Sequence, residues 1–225
     1  MKAEAAATEA NRGDEGELSR TLGANSNTNR DHFTISNNAD YFTIRGLVKQ
    51  TGQPAYNLGN MAVKELLDNA LDAGELANVD PLITVHCCEN NRVTITDNGL
   101  GMPAHVVESL LNFTNRTSDK AAYRSPSRGQ QGQALKTLVG LPFALNGGLL
   151  IIEACGLRHE IQASSTPIGT IDPGYTVTPC DRISGTAVSI DLATCSLNIA
   201  KIVKLTQMVN PHAKLILISG DDEND

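Results

Sequence analysis

"NMAVKELLDNALDA", Asn60 to Ala73, is the stretch on which the reading of the fold turns. Val63, Leu66, Leu67 and Ala70 recur at i, i+3, i+4 and i+7, one apolar stripe of an α-helix. Glu65, Asp68, Asn69 and Asp72 repeat that spacing on the opposite side. Three acids and an amide with no interleaved base repel one another, whereas a surface helix ordinarily mixes signs. The stripe reads either as a solvated face or as a row of oxygen ligands for a hard divalent cation such as magnesium. That ion takes one or two protein groups and completes its shell with substrate phosphates. The helix alone does not choose between these.

Toward the C-terminus, "LITVHCC" (Leu82–Cys88) and "RVTITD" (Arg92–Asp97) read as two strands. A period of two puts Asp97 on the face of Val93 and Ile95. If that face is inward, the strand ends by aiming a carboxylate into the interior, where it needs a donor. Gly99 and Gly101 then remove side-chain bulk, so that a flat ligand could approach the backbone. A plain Asn-Gly turn would give the same letters. Further on, "SRGQQGQALKT" (Ser127–Thr137) is a polar glycine run that turns helix-like. It is not a P-loop, because Leu135 rather than glycine precedes Lys136 and Thr137. A helix starting near Gln133 would present free N–H groups to an anion, with Lys136 one turn in. A flexible surface loop is the alternative.

"PAHVVESLLNF" and "QALKTLVGL" read as helices, and "GGLLIIEAC", "RHEIQAS" and "GTAVSIDL" as successive strands. "SLNIAKIVKLTQMV" reads as a late amphipathic helix and "AKLILI" as a last buried strand. This order suggests a layered α/β sandwich with a mixed, largely antiparallel sheet. Residues 1–38 are almost without apolar side chains and are expected to form a disordered arm. The domain is expected over 39–220, with 221–225 an acidic tail.

The bulk numbers bound what this unit does. A chain of 225 residues suits one domain or one and a half. Apolar content of 40% with 4% aromatics and no tryptophan fits an aliphatic α/β core. A net charge of −7 argues against a domain that grips nucleic acid unaided. Five cysteines without CxxC or His-Cys spacing read as reduced, mostly buried thiols of a cytosolic protein. No run approaches a membrane span or a signal peptide's apolar core, so the expectation is a soluble, cytoplasmic protein.

Taken together and in order, "KELLDNALDA", "TDNGLGMP", "TSDK…SRGQQGQALK" and "SGTAVSIDL" resemble the ATPases of gyrase, the heat-shock chaperone, histidine kinases and MutL. This is the GHKL superfamily with its Bergerat ATP-binding fold, and the resemblance spans Tyr41 to Ser219. Within it, "SRGQQG", "TSDK" and "VNPHAKL" (Val209–Leu215) are most similar to the B subunit of topoisomerase VI.

The resemblance implies an α+β two-layer sandwich that binds ATP and Mg2+. It makes Glu65 the general base that polarises the attacking water, and Asn69 the magnesium ligand. Asp72 joins the ATP-binding set, and Asp97 accepts from the adenine amino group. Gly101 and Met102 would line the base, and Thr186 would support Asp97 through a water. Gly129, Gln130, Gln131, Gly132, Gln133, Ala134, Leu135 and Lys136 would be the lid over the phosphates, with Lys120 nearby.

One departure is Ala134, where the lid commonly ends in glycine. A positive φ there would cost alanine about 1–2 kcal/mol, whereas a first helical turn would welcome it. A second departure is that relatives take a γ-phosphate lysine from a following transducer domain, which this sequence does not include. It therefore reads as a truncated ATPase module or as one served by a partner's lysine. The implied partners are a second copy in the ATP-bound state and a Toprim/tyrosine DNA-cleavage subunit. DNA contact would lie mainly on other domains or subunits, with nucleoid association and no membrane. Two rivals stand beside this reading: a MutL-like repair or defence ATPase acting as a switch, and a module that binds ATP with little hydrolysis.

Overall fold

A computed structural model describes residues 39–88, 90–113, 124–125, 129–130, 134–146 and 148–220. The expected N-terminal arm and acidic tail lie outside the described residues. Five α-helices are described: α1 Ile44–Thr51, α2 Leu58–Leu76, α3 Ala104–Leu110, α4 Ala134–Ala144 and α5 Ile199–Val209. The strands of the main sheet are β1 Leu82–Cys87, β2 Arg92–Thr96, β5 Leu150–Ala154, β6 Leu157–Ile161, β9 Tyr175–Pro179, β10 Thr186–Asp191 and β11 Lys214–Ser219. Two short ribbons pair β3 Arg124–Ser125 with β4 Gly129–Gln130, and β7 Ser164–Ser165 with β8 Ile171–Asp172.

The main sheet has seven strands in the order β11-β1-β2-β10-β5-β6-β9. Only β1 and β11 run parallel; every other neighbouring pair is antiparallel. Alternation along the strands separates two faces. Ile83, Val85, Val93, Ile95, Val188, Ile190 and Ile152 turn into one core with Val63, Leu66, Leu67 and Leu71 of α2 and Leu138 and Leu141 of α4. The other face is a polar ladder. Thr94 and Ser189 share a hydroxyl hydrogen bond of 2.8 Å, and Arg92 clasps Asp191 through Nε at 2.6 Å. One face covered by helices and one polar face make the two-layer α/β sandwich that the sequence implied.

Two expectations need correction. The last strand is not buried: β11 is the sheet's edge, and Ile216 and Ile218 remain 37% and 40% exposed. An apolar run of four residues does not distinguish a central strand from an edge. The five free thiols are not mostly buried either, since four are half-buried and Cys155 is exposed. Two elements also lacked a sequence signal, α1 and the outer strand β9. In β9 an alternating Thr-Val-Thr run between two prolines is exposed along most of its length.

Candidate functional site

Helix α2 presents the acidic row, but not to solvent. Packed on the sheet at one side and against α4 and α5 at others, it buries most of its circumference. Asp68 is 7% and Asp72 2% exposed, so the solvated-face reading does not hold. The row also has its base: the Lys64 ammonium, one turn before Asp68, donates to Asp68 Oδ2. That i,i+4 partner was readable in the sequence. Glu65 is half-buried, and its carboxyl is pushed above the ordinary carboxylate range. Loss of hydration is the main cause; Lys64 opposes the shift and Asp68 adds to it. Asn69 folds back so that Nδ2 donates to the Glu65 carbonyl at 2.7 Å. This fixes the amide plane and turns Oδ1 away from that bond.

Strand β2 ends with Val93 and Ile95 in the core, and Asp97 follows on the same face. Asp97 Oδ1 accepts from Gly99 N at 2.8 Å and from Thr186 N at 3.1 Å. The first bond is an Asx turn, so the turn and the inward carboxylate are one feature rather than alternatives. Thr186 supports Asp97 directly through its backbone N–H. The Asp97 amide returns a bond to the Thr186 carbonyl at 2.9 Å. Burial pushes the Asp97 carboxyl above its ordinary range, while the two N–H donors, Arg182 and the Thr186 side chain act against the shift.

The two glycines of this turn also permit close packing. A Cβ on Gly99 would stand 2.8 Å from the Ala73 carbonyl oxygen, so Gly99 lets the turn press on the end of α2. A Cβ on Gly101 would meet Cys155 Sγ at 3.0 Å, and its φ of +88° suits glycine alone. The contact with Ala73 brings the Asp97 turn beside Asp72. Glu65 then lies seven residues back along the same helix, roughly 10 Å away along its axis. Met102 packs against the main core just beyond the turn.

The glycine loop enters this picture only in part. Lys120, Gln131, Gly132 and Gln133 lie outside the described residues. Gly129 and Gln130 pair with Ser125 and Arg124 as a short ribbon. Ala134 opens helix α4 and is not among the residues with positive φ, so alanine meets no backbone strain there. Leu135 packs on the core. Lys136 is not a loop cation: it is buried, its Nζ donates to the Asn112 carbonyl at 2.7 Å, and burial pulls its pKa down. Its periodic place on an apolar helix was the signal that it would point inward.

Among the described residues no three His, Cys, Asp or Glu side chains cluster as a metal cage. A magnesium ion that keeps phosphate ligands needs none, and a single amide oxygen such as Asn69 Oδ1, held by its own Nδ2 bond, fits that mode. No helix among the described residues is long and apolar enough to cross a membrane.

Comparison with known proteins adds to this geometry. Residues 56–139 match the family described as histidine kinase-, DNA gyrase B-, and HSP90-like ATPase. The B subunit of type 2 DNA topoisomerase 6 from Methanococcoides burtonii is 31% identical over 178 residues, 71% of this chain and 28% of that protein. The DNA mismatch repair protein MutL of Acidiphilium cryptum is 28% identical over 134 residues, 54% of this chain and 22% of that protein. The chain thus spans less than a third of these relatives. The Aquifex aeolicus MutL ATPase domain, solved in complex with ADP, aligns over 70% of this chain and 57% of that one at 18% identity, with a TM-score of 0.43.

Proposed function

We propose that this chain, which belongs to the histidine kinase-, DNA gyrase B- and HSP90-like ATPases, binds and hydrolyses ATP between α2 and the Asp97 turn. The observation that carries the reading is the carboxylate at the end of β2. It is inward, pinned by Gly99 and Thr186, and pressed against the helix that carries Glu65 and Asn69. A carboxylate offers about four acceptor positions, so one already holding protein donors keeps capacity for an exocyclic amino group. Adenine supplies that donor; guanine places an acceptor there.

Glu65 is the general base. Burial raises its proton affinity, which suits it to take a proton from water as that water's oxygen bonds to the γ-phosphorus and ADP leaves. Magnesium, when bound with the nucleotide, would be held by Asn69 Oδ1 and would neutralise phosphate charge. Asp68 stays with Lys64 and does not compete for it. The glycine run before α4 supplies the lid, and nucleotide-driven closure favours pairing of two copies.

Of the biological settings, a B subunit of a type IIB DNA topoisomerase is favoured by the relative at 31% identity. It would work with a Toprim/tyrosine cleavage subunit, in the cytoplasm or on the nucleoid. The 28% identity to a MutL supports a second reading, a repair or defence switch. Replacing Glu65 by Ala should cut turnover by about 10²–10⁴ with ATP still bound. Unchanged turnover would remove Glu65 from the mechanism. Replacing Asp97 by Asn should weaken ATP more than GTP; equal loss would end the adenine assignment. Stimulation of turnover by an added cleavage subunit separates the topoisomerase reading from the MutL-like one.

A further inference from the structure

Strand β2 parts from its neighbour β1 at the turn that carries Asp97. Their ladder pairs Thr84 with Thr96, so that two residues further on Leu82 would stand opposite Asn98. Asp97 bonds its main chain to β10, and by the alternation of a strand Asn98 is the next residue to face β1. On the β10 side the backbone stays bonded through the turn. Asp97 N donates to the Thr186 carbonyl at 2.9 Å and Gly185 N to the Gly99 carbonyl at 2.9 Å, which makes Gly185 and Thr186 a strap across it. On the β1 side the Asn98 side chain takes over from the main chain. Its Oδ1 accepts from Leu82 N at 2.9 Å, and its Nδ2 donates to the Asp80 carbonyl at 3.1 Å. Among the described residues no main-chain hydrogen bond joins residues 97–101 to β1.

The segment that Asn98 grips is itself fixed. Lys214 N donates to the Pro81 carbonyl at 2.8 Å, and a Cβ on Gly74 of α2 would stand 2.9 Å from Pro81 Cγ. Residues 80–82 are thus wedged between β11 and the helix that carries Glu65. The Asx turn makes no claim on the Asn98 side chain, because Asp97 Oδ1 already accepts from Gly99 N. An amide also has the inventory this place needs, an acceptor for one N–H and a donor for one carbonyl. A carboxylate of the same shape would have no donor for Asp80 and would set a second negative charge beside Asp97.

We propose that Asn98 is a positioning residue for adenine recognition: its side chain replaces the missing rung of the β1–β2 ladder and sets the direction in which Asp97 leaves the sheet. The inference rests on the ATP-binding reading and adds to it a residue whose side chain is engaged with β1 rather than with nucleotide. Without that amide the turn is hydrogen-bonded from the β10 side alone. Bound nucleotide must then supply the order that Asn98 supplies beforehand, and the cost falls on the contact between Asp97 and the exocyclic amino group.

The test titrates ATP and purine riboside triphosphate, which lacks the exocyclic amino group, into wild type, Asn98→Ala, Asn98→Asp and Asn60→Ala by calorimetry. Asn60 is the matched control. Its Oδ1 accepts from Asn198 N at 2.8 Å and its Nδ2 donates to the Ser196 carbonyl at 3.2 Å, the same pair of backbone bonds at another place. Asn98→Ala is expected to weaken ATP about twofold to tenfold, the size of one net hydrogen bond, and purine riboside triphosphate less. Asn98→Asp keeps the shape, loses the donor and should lose ATP selectively as well. Asn60→Ala should keep the wild-type ratio of the two affinities, and both Asn98 variants should keep kcat at saturating ATP. Equal losses for both nucleotides, a wild-type ratio in Asn98→Asp, the same change of ratio in Asn60→Ala, or a fall in kcat with the ratio intact would each overturn the proposal. Asp97→Asn run alongside keeps the two levels apart. If it changes the ratio while Asn98→Ala does not, the site stands and the positioning role falls. If neither changes it, the ATP reading itself fails.

Discussion

Gly52 and Gly185 share a φ of +67° and differ only in what surrounds them. A Cβ on Gly52, the cap residue after α1, would meet nothing within 4 Å. A Cβ on Gly185 would stand 2.1 Å from the Asp97 carbonyl oxygen, a backbone atom of a paired turn that cannot swing aside. Replacing either by Ala incurs the left-handed backbone penalty of about 1–2 kcal/mol. Either also gains about 0.4–1 kcal/mol from a stiffer unfolded chain, which cancels between them. Gly185→Ala alone adds the overlap, for which displaced backbone costs roughly 1–3 kcal/mol. For a chain of this size that difference separates the two melting temperatures by about 2–12 °C. Thermal unfolding followed by circular dichroism, with urea midpoints as a check, measures it. Because the overlap falls on Asp97, ATP affinity should drop in Gly185→Ala and not in Gly52→Ala. Equal melting temperatures, or a greater loss in Gly52→Ala, would refute the close packing of the Gly185–Thr186 strap on Asp97.

A base held above the ordinary carboxylate range must lose its proton to act, so turnover should fall on the acid side through a pKa above that range. Lys64 is the influence holding Glu65 down, so Lys64→Met should move that limb of the kcat profile to higher pH; an unmoved limb would dissociate the two residues. His159 is fully buried, with Nδ1 2.8 Å from the Tyr175 hydroxyl and Nε2 without a partner among the described residues. Burial holds its pKa below the ordinary value, with Glu108 opposing. The unfolded chain therefore takes the proton first, and stability should decline as pH falls below about 6.5. His159→Gln should flatten the melting temperature between pH 7 and 5, and an unchanged slope would contradict this. Lys136→Met leaves the Asn112 carbonyl without its ammonium donor and should cost about 1–3 kcal/mol, read from urea unfolding without nucleotide.

What the sequence disclosed follows from periodicity, and what it withheld follows from contacts across long separations. Val63, Leu66, Leu67 and Ala70 declare a buried stripe because a helix repeats every 3.6 residues, and Asp97 declares its face because a strand repeats every two. Neither period says that α2 is covered on more than one side. That is why Asp68 and Asp72 read as a solvated row and are in fact enclosed. The pairing of β2 with β10 joins Thr96 to Ala187 across ninety-one residues, and nothing local specifies it. The donor that pins Asp97 from Thr186 N depends on that pairing and was accessible only as part of a family pattern.

The same asymmetry bears on the glycine turn. Gly99 and Gly101 are letters that a nucleotide site and a close-packed turn both require, and here their missing Cβ atoms face Ala73 and Cys155. A turn that packs this tightly on both sides transmits displacement. Gly99 touches the end of the helix that carries Glu65 and accepts from Gly185 of the strap behind. A shift at Gly185 therefore reaches Asp97 and the helix that carries Glu65 through one residue. A substitution at Gly185, remote from any phosphate, should accordingly alter ATP affinity before it alters the chemical step. A fall in kcat at saturating ATP with affinity intact would be the opposite outcome, and would show that the strap acts on Glu65 rather than on Asp97.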